Sequence, residues 1–547
     1  MTNCGDSGPS EGLSASFCGV LAQQTAVFEV PASGSIAGPG GFPLHGRLSA
    51  NAGSLIGLSM LASVAGAGTG AAADPVAIDP ARLPLVAVVD ERFQSYNIEM
   101  VEVTGGAFWK PYASPAPAAS AEPQRSDLYA ERHPIDLENP RLRRFAAALS
   151  PAYLRVSGTW ANATYFSDQD TAPARPPAGF DGILTRTRWR GVVDFSHAVG
   201  ASIVTSFATS AGSRDKQGHW RPDEARRLLA FNRSIGGDIV AAELMNEPDL
   251  KSGAVGGTDA KTFRRDFSAF RSLMRQASGT TVLLGPGTIG TDAKAADMFA
   301  ATARGINAVS YHYYGAVSER CGGDRTPDMA LSEPWLARTD QAFAFYRSLR
   351  DRLTPDRPIW LTETAEAACG GNRWAASFLD TFRYLDQLGR LAKGGVAVVM
   401  HNTLAASDYA LIDESTLLPR PNYWSAVLWR RMMGTTVLDA GASPSPNLHL
   451  YAHCLRDHPG GVALLAINAD RTASQELDVP VKSERYTLTA KELLDNKVEL
   501  NGSELKVNDA GDLPQIAGKA QAAGRVAFAP ASITFLTIPN AGNASCK

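Results

Sequence analysis

Eight short β-rich runs, most of them followed by a segment with apolar residues at three- and four-residue spacing, constrain the fold of this chain more than any other feature. The runs lie at Gln94–Val101, Ala152–Val156, Ser202–Ala208, Val240–Met245, Thr281–Gly285, Ile306–Tyr314, Pro358–Thr364 and Gly395–Thr403. Helical spacing follows at Leu142–Leu149, Trp189–Val199, Phe263–Gln276, Thr339–Leu349 and Ala376–Leu391. Parallel neighbours need a crossover connection, so eight β-then-α units predict an α/β protein built on a (β/α)8 barrel. A doubly wound sheet uses the same units, but no glycine-rich phosphate turn follows any of these strands.

From about Thr435 the pattern changes to short alternating strands at Leu448–His453, Val462–Asn468, Tyr486–Ala490 and Ser532–Ile538, separated by Gly, Asn, Asp and Pro. That is the pattern of a β-sandwich. The expected organisation is a leader over residues 1–73, an N-terminal strand element over 74–92, the barrel over 93–434 and the sandwich over 435–547. The strand Leu83–Val89 in the second of these is expected to join the sandwich from the other end of the chain. Residues 111–123, rich in Pro and Ala, read as an exposed loop in the first β-to-α connection.

With 44 % hydrophobic and 20 % charged residues, the chain has the composition of a folded, soluble protein. Its 52 basic and 55 acidic residues leave a net charge of −3, so no overall field favours nucleic acid or a membrane surface as partner. Locally, Arg186, Arg188, Arg190, Arg320 and Arg325 either line a cleft for a polyanion or are ordinary solvated surface residues.

The leader has an unusual composition. No charge occurs from Leu48 to Ala73, His45 and Arg47 precede this stretch, and Ala71-Ala72-Ala73 closes it, which is the order of a secretory signal. Its position suggests a start codon assigned too far upstream. The mature protein is expected to be secreted or periplasmic, with no membrane segment. Of six cysteines, Cys4 and Cys18 lie in the leader and Cys321, Cys369, Cys454 and Cys546 beyond it, none at CxxC spacing. Zinc and thioredoxin chemistry are therefore disfavoured, and four cysteines in an exported chain fit two disulfides or four free thiols.

In a (β/α)8 barrel chemistry sits at the carboxyl ends of the strands. Strand four ends in Glu243-Leu244-Met245-Asn246-Glu247-Pro248 and strand seven in Trp360-Leu361-Thr362-Glu363-Thr364. Two carboxylates facing each other across a cleft meet the needs of glycoside hydrolysis, one protonating the leaving oxygen and the other attacking or activating water. Glu243 shares the period-two face of Glu247 one layer deeper, and Arg155 at the end of strand two is a candidate partner for its charge.

On these residues the sequence resembles the retaining glycosidases of clan A and, among them, glycoside hydrolase family 79, the heparanase and β-glucuronidase family. The similarity also includes Leu149-Ser150-Pro151-Ala152-Tyr153-Leu154-Arg155, His312-Tyr313-Tyr314, Tyr423-Trp424 and Leu448-His449-Leu450-Tyr451-Ala452-His453-Cys454. The resemblance implies Glu247 as general acid/base and Glu363 as nucleophile, with Tyr313 hydrogen-bonded to the nucleophile and Asn246 contacting the sugar 2-hydroxyl. It places Glu99 against the non-reducing-end sugar, where the family has an aspartate. It assigns the substrate carboxylate to the backbone amides of a glycine turn, here Cys369-Gly370-Gly371, joined by Tyr409. Asn402 replaces a family glutamine nearby. Cys454 and Cys546 match a family disulfide, whereas Cys369 either stands in for a glycine of the turn or pairs with Cys321. Only Ser167 to Asp181 separate Phe166 from the next helix, so the excised linker of the mammalian heparanases has no counterpart.

The function implied is a retaining β-glucuronidase acting on a glucuronate-containing oligo- or polysaccharide, with no cofactor and no metal. The alternatives are a clan A enzyme for a neutral sugar, such as a β-glycosidase or arabinofuranosidase, and a non-catalytic sugar-binding barrel.

Overall fold

A computed structural model describes residues 76–112, 128–250 and 258–547. The leader with Cys4 and Cys18, and most of the Pro/Ala-rich loop, lie outside the described residues. Eight parallel strands close into a barrel in chain order: strand one Gln94–Glu99, two Ala152–Ser157, three Ala201–Thr205, four Ile239–Ala242, five Val282–Thr288, six Ala308–Val317, seven Ile359–Ala368 and eight Val398–His401. Closure is made where Val399 of strand eight pairs with Gln94 of strand one. The outer helices begin where the sequence offers caps. Asn139, Thr185, Asp259 and Asp292 each accept backbone N–H bonds at the starts of Pro140–Ala147, Arg186–Val199, Ala260–Ala277 and Ala293–Thr302. Arg186–Val199 ends at Gly200 in the left-handed conformation.

The floor of the barrel is a plug of Tyr153, Val204, Ala241, Leu284, Ala308, Trp360, Val398 and Met400, one or two from most strands. Because side chains alternate along a strand, the next inward positions toward the carboxyl ends are Arg155, Glu243, Ser310 with His312, Thr362 and Asn402. All are buried and polar, so the barrel's interior changes from oil to charge within one layer.

Beyond the barrel, two sheets pack face to face. The larger contains Leu85–Val88, Met433–Leu438, Leu448–Leu455, Val462–Asn468, Ser532–Ile538 and Ser483–Thr489, and the smaller Val76–Ala77, Gln475–Val479 and Gly524–Phe528. Alternation divides the large sheet. Leu448, Leu450, Ala452 and Cys454 face the smaller sheet with Leu477, Val479, Val526 and Phe528, while Tyr451, Leu465 and Phe535 join the barrel's core. The helix Phe378–Lys393 lies between barrel and sandwich, and Gly389 lets it come close, since a Cβ there would stand 2.4 Å from the Tyr451 ring. Cys454 and Cys546 form a disulfide that ties this sheet to the end of the chain. Among the described residues no helix is long and apolar enough to cross a membrane.

Candidate active site

Glu247 and Glu363 meet at the carboxyl end of the barrel, and one polar atom from each of Glu247, His312 and Glu363 falls within 4.8 Å of the others. The two glutamates get there differently. Glu247 lies past the end of strand four with φ +45°, a conformation unusual for a residue with a Cβ, held by its N–H to the Gly287 carbonyl at 3.1 Å. Glu363 lies within strand seven, where the register against strand six shifts by one residue: Tyr311 pairs with Leu361 but His312 with Glu363. That bulge turns Glu363 inward directly after the inward Thr362, whose hydroxyl donates to Glu243 at 2.9 Å.

Arg155 is the hub beneath them, 1 % exposed. Its Nε and Nη2 donate to Glu243 Oε2 at 3.2 and 2.9 Å, its Nη1 to Glu363 Oε2 at 2.8 Å, and its Nη2 also to Asn246 Oδ1 at 2.8 Å. The pairing of Arg155 with Glu243 is present, and the bond to Glu363 is an addition that strand periodicity did not indicate. Arg155 Nη2 lies 3.1 Å from His312 Nε2. On its other side, His312 Nδ1 faces Glu247 Oε1 at 3.1 Å. His312 was quoted in the sequence only as part of a motif; the signal for it is its inward parity with Ser310.

The tyrosine at Glu363 is corrected by one residue. Tyr314, not Tyr313, donates its hydroxyl to Glu363 Oε1, at 2.6 Å. Alternation explains the slip. Ser310, His312 and Tyr314 point into the barrel, whereas Tyr311 stacks on Tyr346 of the outer helix Arg338–Leu353, and Tyr313 has Arg338, Arg383 and Asp340 as its charged neighbours.

These surroundings separate two equally buried acids. Burial raises the Glu247 carboxyl above its ordinary value, helped by the charge of Glu363 and opposed by the His312 hydrogen bond. Burial would raise Glu363 as well, but His312, Arg155 and the Tyr314 hydroxyl outweigh it and hold the group below its ordinary value. By donor type, Glu247, His312 and Glu363 can hold a cation. The Arg155 guanidinium, bonded to Glu363 and facing His312, already supplies positive charge there and suits the cluster to proton chemistry.

The remaining candidates form the neighbouring wall. Asn246 is fully buried, its backbone exchanging two 2.9 Å bonds with the Asn162 amide. Asn402 Nδ2 lies within 3.0 to 3.2 Å of Glu99 Oε1, Tyr314 Oη and Tyr409 Oη. Glu99 Oε2 and Asn402 Oδ1 are buried acceptors with no partner among the described residues. Burial, reinforced by the charge of Glu363, holds Glu99 well above its ordinary value. Cys369, Gly370 and Gly371 have φ of +62°, +82° and +86° in succession. The Gly370 carbonyl accepts from Ser407 Oγ at 3.0 Å and Asp408 N–H at 3.2 Å, while neither glycine amide has an acceptor among the described residues. A Cβ on Gly370 would stand 2.5 Å from Ser407 Oγ. Cys369 is bonded to Cys321, which resolves the two readings of that position. Of the five arginines that could have served a polyanion, Arg186, Arg190, Arg320 and Arg325 are paired with Asp168, Asp170, Asp408 and Asp324.

Residues 128–389 match the family model for the N-terminal domain of glycosyl hydrolase family 79. Heparanase-like protein 1 of Arabidopsis thaliana is 25 % identical over 475 residues, which cover 76 % of this chain and 86 % of that protein. Baicalin-beta-D-glucuronidase of Scutellaria baicalensis is 26 % identical over 445 residues, covering 74 % and 84 %. In three dimensions the chain is similar to the crystal structure of a 4-O-alpha-L-rhamnosyl-beta-D-glucuronidase from Fusarium oxysporum, with a TM-score of 0.61, 13 % identity and coverage of 85 % and 100 %. Since the family model falls on the barrel that carries both glutamates, and the relatives match about three quarters of the chain, the chain is a glycoside hydrolase similar to those of family 79.

Proposed function

We propose that the protein is a retaining β-glucuronidase in which Glu363 is the nucleophile and Glu247 the general acid/base. The observation that carries this reading is the opposed setting of two buried carboxyls within 4.8 Å, one held below its ordinary value by the groups around it and the other raised above it by burial. Retaining enzymes place their carboxyls about 5–5.5 Å apart, and inverting enzymes leave room for a water at larger separation. In the first step a Glu363 oxygen bonds to the anomeric carbon while Glu247 passes its proton to the departing glycosidic oxygen. His312 faces Glu247 Oε1, which leaves Oε2 to carry that proton. In the second step Glu247, now ionised, takes a proton from water, and the hydroxide displaces Glu363 from the anomeric carbon. Asn246 is positioned for the 2-hydroxyl, and the unpartnered Glu99 Oε2 and Asn402 Oδ1 for other sugar hydroxyls.

The substrate carboxylate is assigned to the Gly370 and Gly371 amides with the Tyr409 hydroxyl. Successive amides in a left-handed turn make an anion nest without a cationic side chain. The similarity to a protein named for a β-D-glucuronide substrate supports the same sugar here. Two disulfides fit an oxidising compartment, and we place the mature protein outside the cytoplasm. The test compares p-nitrophenyl β-glucuronide with the β-glucoside. kcat/KM should favour the glucuronide by at least ~10²-fold, the scale of a charge-assisted bond set left unsatisfied by the wrong substrate. Comparable rates would replace this reading with a neutral-sugar enzyme, and an α-anomer as first product by proton NMR would exclude retention.

A further inference from the structure

Strand seven carries a second buried acid that the hydrolysis does not use. Glu366 is 0 % exposed and, being past the bulge, points away from Glu363 toward the helix Phe378–Lys393. Both of its oxygens are taken by one residue: Oε2 accepts the Asn372 backbone N–H at 2.9 Å and Oε1 the Asn372 side-chain amide at 2.7 Å. Asn372 in turn accepts the Glu319 N–H at its Oδ1, at 2.8 Å.

Asn372 directly follows Gly371, and Cys369 directly precedes Gly370. The two glycines are thus anchored on three sides: Cys369 by its bond to Cys321, the Gly370 carbonyl by Ser407 and Asp408, and Asn372 by Glu366. Three consecutive residues at positive φ make no regular ladder of their own, so their amides keep one direction only if the neighbours impose it.

We propose that Glu366 is a positioning residue for uronate recognition: through its two bonds to Asn372 it holds the Gly370 and Gly371 amides in the direction that receives the substrate carboxylate. The inference rests on the uronate reading above and deepens it. It also gives a reason for keeping a carboxyl in this place. Burial, together with the charge of Asp380, pushes Glu366 up to about 8 against the pull of its Asn372 bonds and of Arg383, and both of its oxygens serve as acceptors of hydrogen bonds.

Glu366→Gln keeps the size of the side chain but turns an NH2 group toward a pair of donors, breaking one of the two bonds. We expect kcat/KM for p-nitrophenyl β-glucuronide to fall by about tenfold, chiefly through KM, with the β-glucoside changing less than about twofold. Asn372→Ala should narrow the same ratio and serves if Glu366→Gln does not fold. The double variant Glu366→Gln/Asn372→Asp reverses the polarity of the side-chain bond, Gln donating and Asp accepting, and should restore part of the ratio. A ratio unchanged in both single variants overturns the proposal, as does an equal loss on both substrates, which would mark a merely structural residue. An unmutated enzyme with no preference for the glucuronide would instead remove the uronate reading, and this inference with it.

Discussion

The ends of strands four and seven present the same residue in the same depth of burial, and they treat it oppositely. Glu247 sits on a left-handed turn with His312 beside one of its oxygens. Glu363 sits on a bulged strand with a guanidinium on one oxygen and a phenol on the other. Desolvation acts on both, so the difference lies in the donors each backbone geometry can reach. Residue type and burial alone would have made two identical acids.

The strongest way to break this comparison is to remove each carboxyl in turn. Glu363→Gln and Glu247→Gln should each lose about 10⁴-fold or more in kcat on an unactivated glucuronide, given the scale of rate enhancement assigned to such groups. An aryl glucuronide with a good leaving group should partly restore glycosylation in Glu247→Gln only, read as a burst of released phenol. Equal rescue would exchange or dissolve the proposed roles.

Arg155 links the two sides, and its loss should be felt in both activity and stability. Arg155→Met leaves Glu243 and Glu363 buried without their cation, a situation that costs about 3–5 kcal/mol in comparable buried pairs. Urea unfolding should show that loss, and the surviving activity should require a higher pH as Glu363 moves up. An unchanged midpoint would mean that the ion pairs are not formed in solution.

A smaller change sharpens the register of strand six. Tyr314→Phe removes one donor from Glu363 and should lower kcat/KM by about tenfold, whereas Tyr313→Phe should change it less than twofold. The reverse ranking would restore the tyrosine first assigned from the sequence.

The pH profile is the mildest probe. Glu363 is held below its ordinary value, so activity that needs its ionised form persists in mild acid and is lost as pH falls through that lowered value. Glu247 is held above its ordinary value, so activity that needs its proton is lost as pH rises through the raised one. The bell-shaped kcat/KM profile should therefore be wider than two unperturbed glutamates allow, and Tyr314→Phe should move its acid limb upward. An unmoved acid limb would detach Tyr314 from Glu363.

Much of this was legible in the chain. Each of the eight barrel strands falls within four residues of its expected span at either end, because hydrophobic runs bounded by turn residues are a local property. Glu247 and Glu363 were legible because a barrel brings strand ends together whatever its loops do. Strict alternation, however, puts Glu363 on the outer face if counted from Trp360, and only the bulge against strand six turns it inward. The same parity, counted from Ser310, would have selected Tyr314 over Tyr313.

What the sequence determined by itself is what depends on near neighbours: the order of strands and helices, the caps, the acidic strand ends and the cysteines available for bonding. What the tertiary structure decided is which of those residues meet. Arg155 reaches Glu363 across 208 positions, Asn402 reaches Glu99 across 303, and Cys321 reaches Cys369 from a loop whose path no local pattern specifies. Period and propensity carry information over a few residues, whereas a hydrogen bond or a raised carboxyl depends on which atoms packing brings within about 3 Å and on how much water it removes.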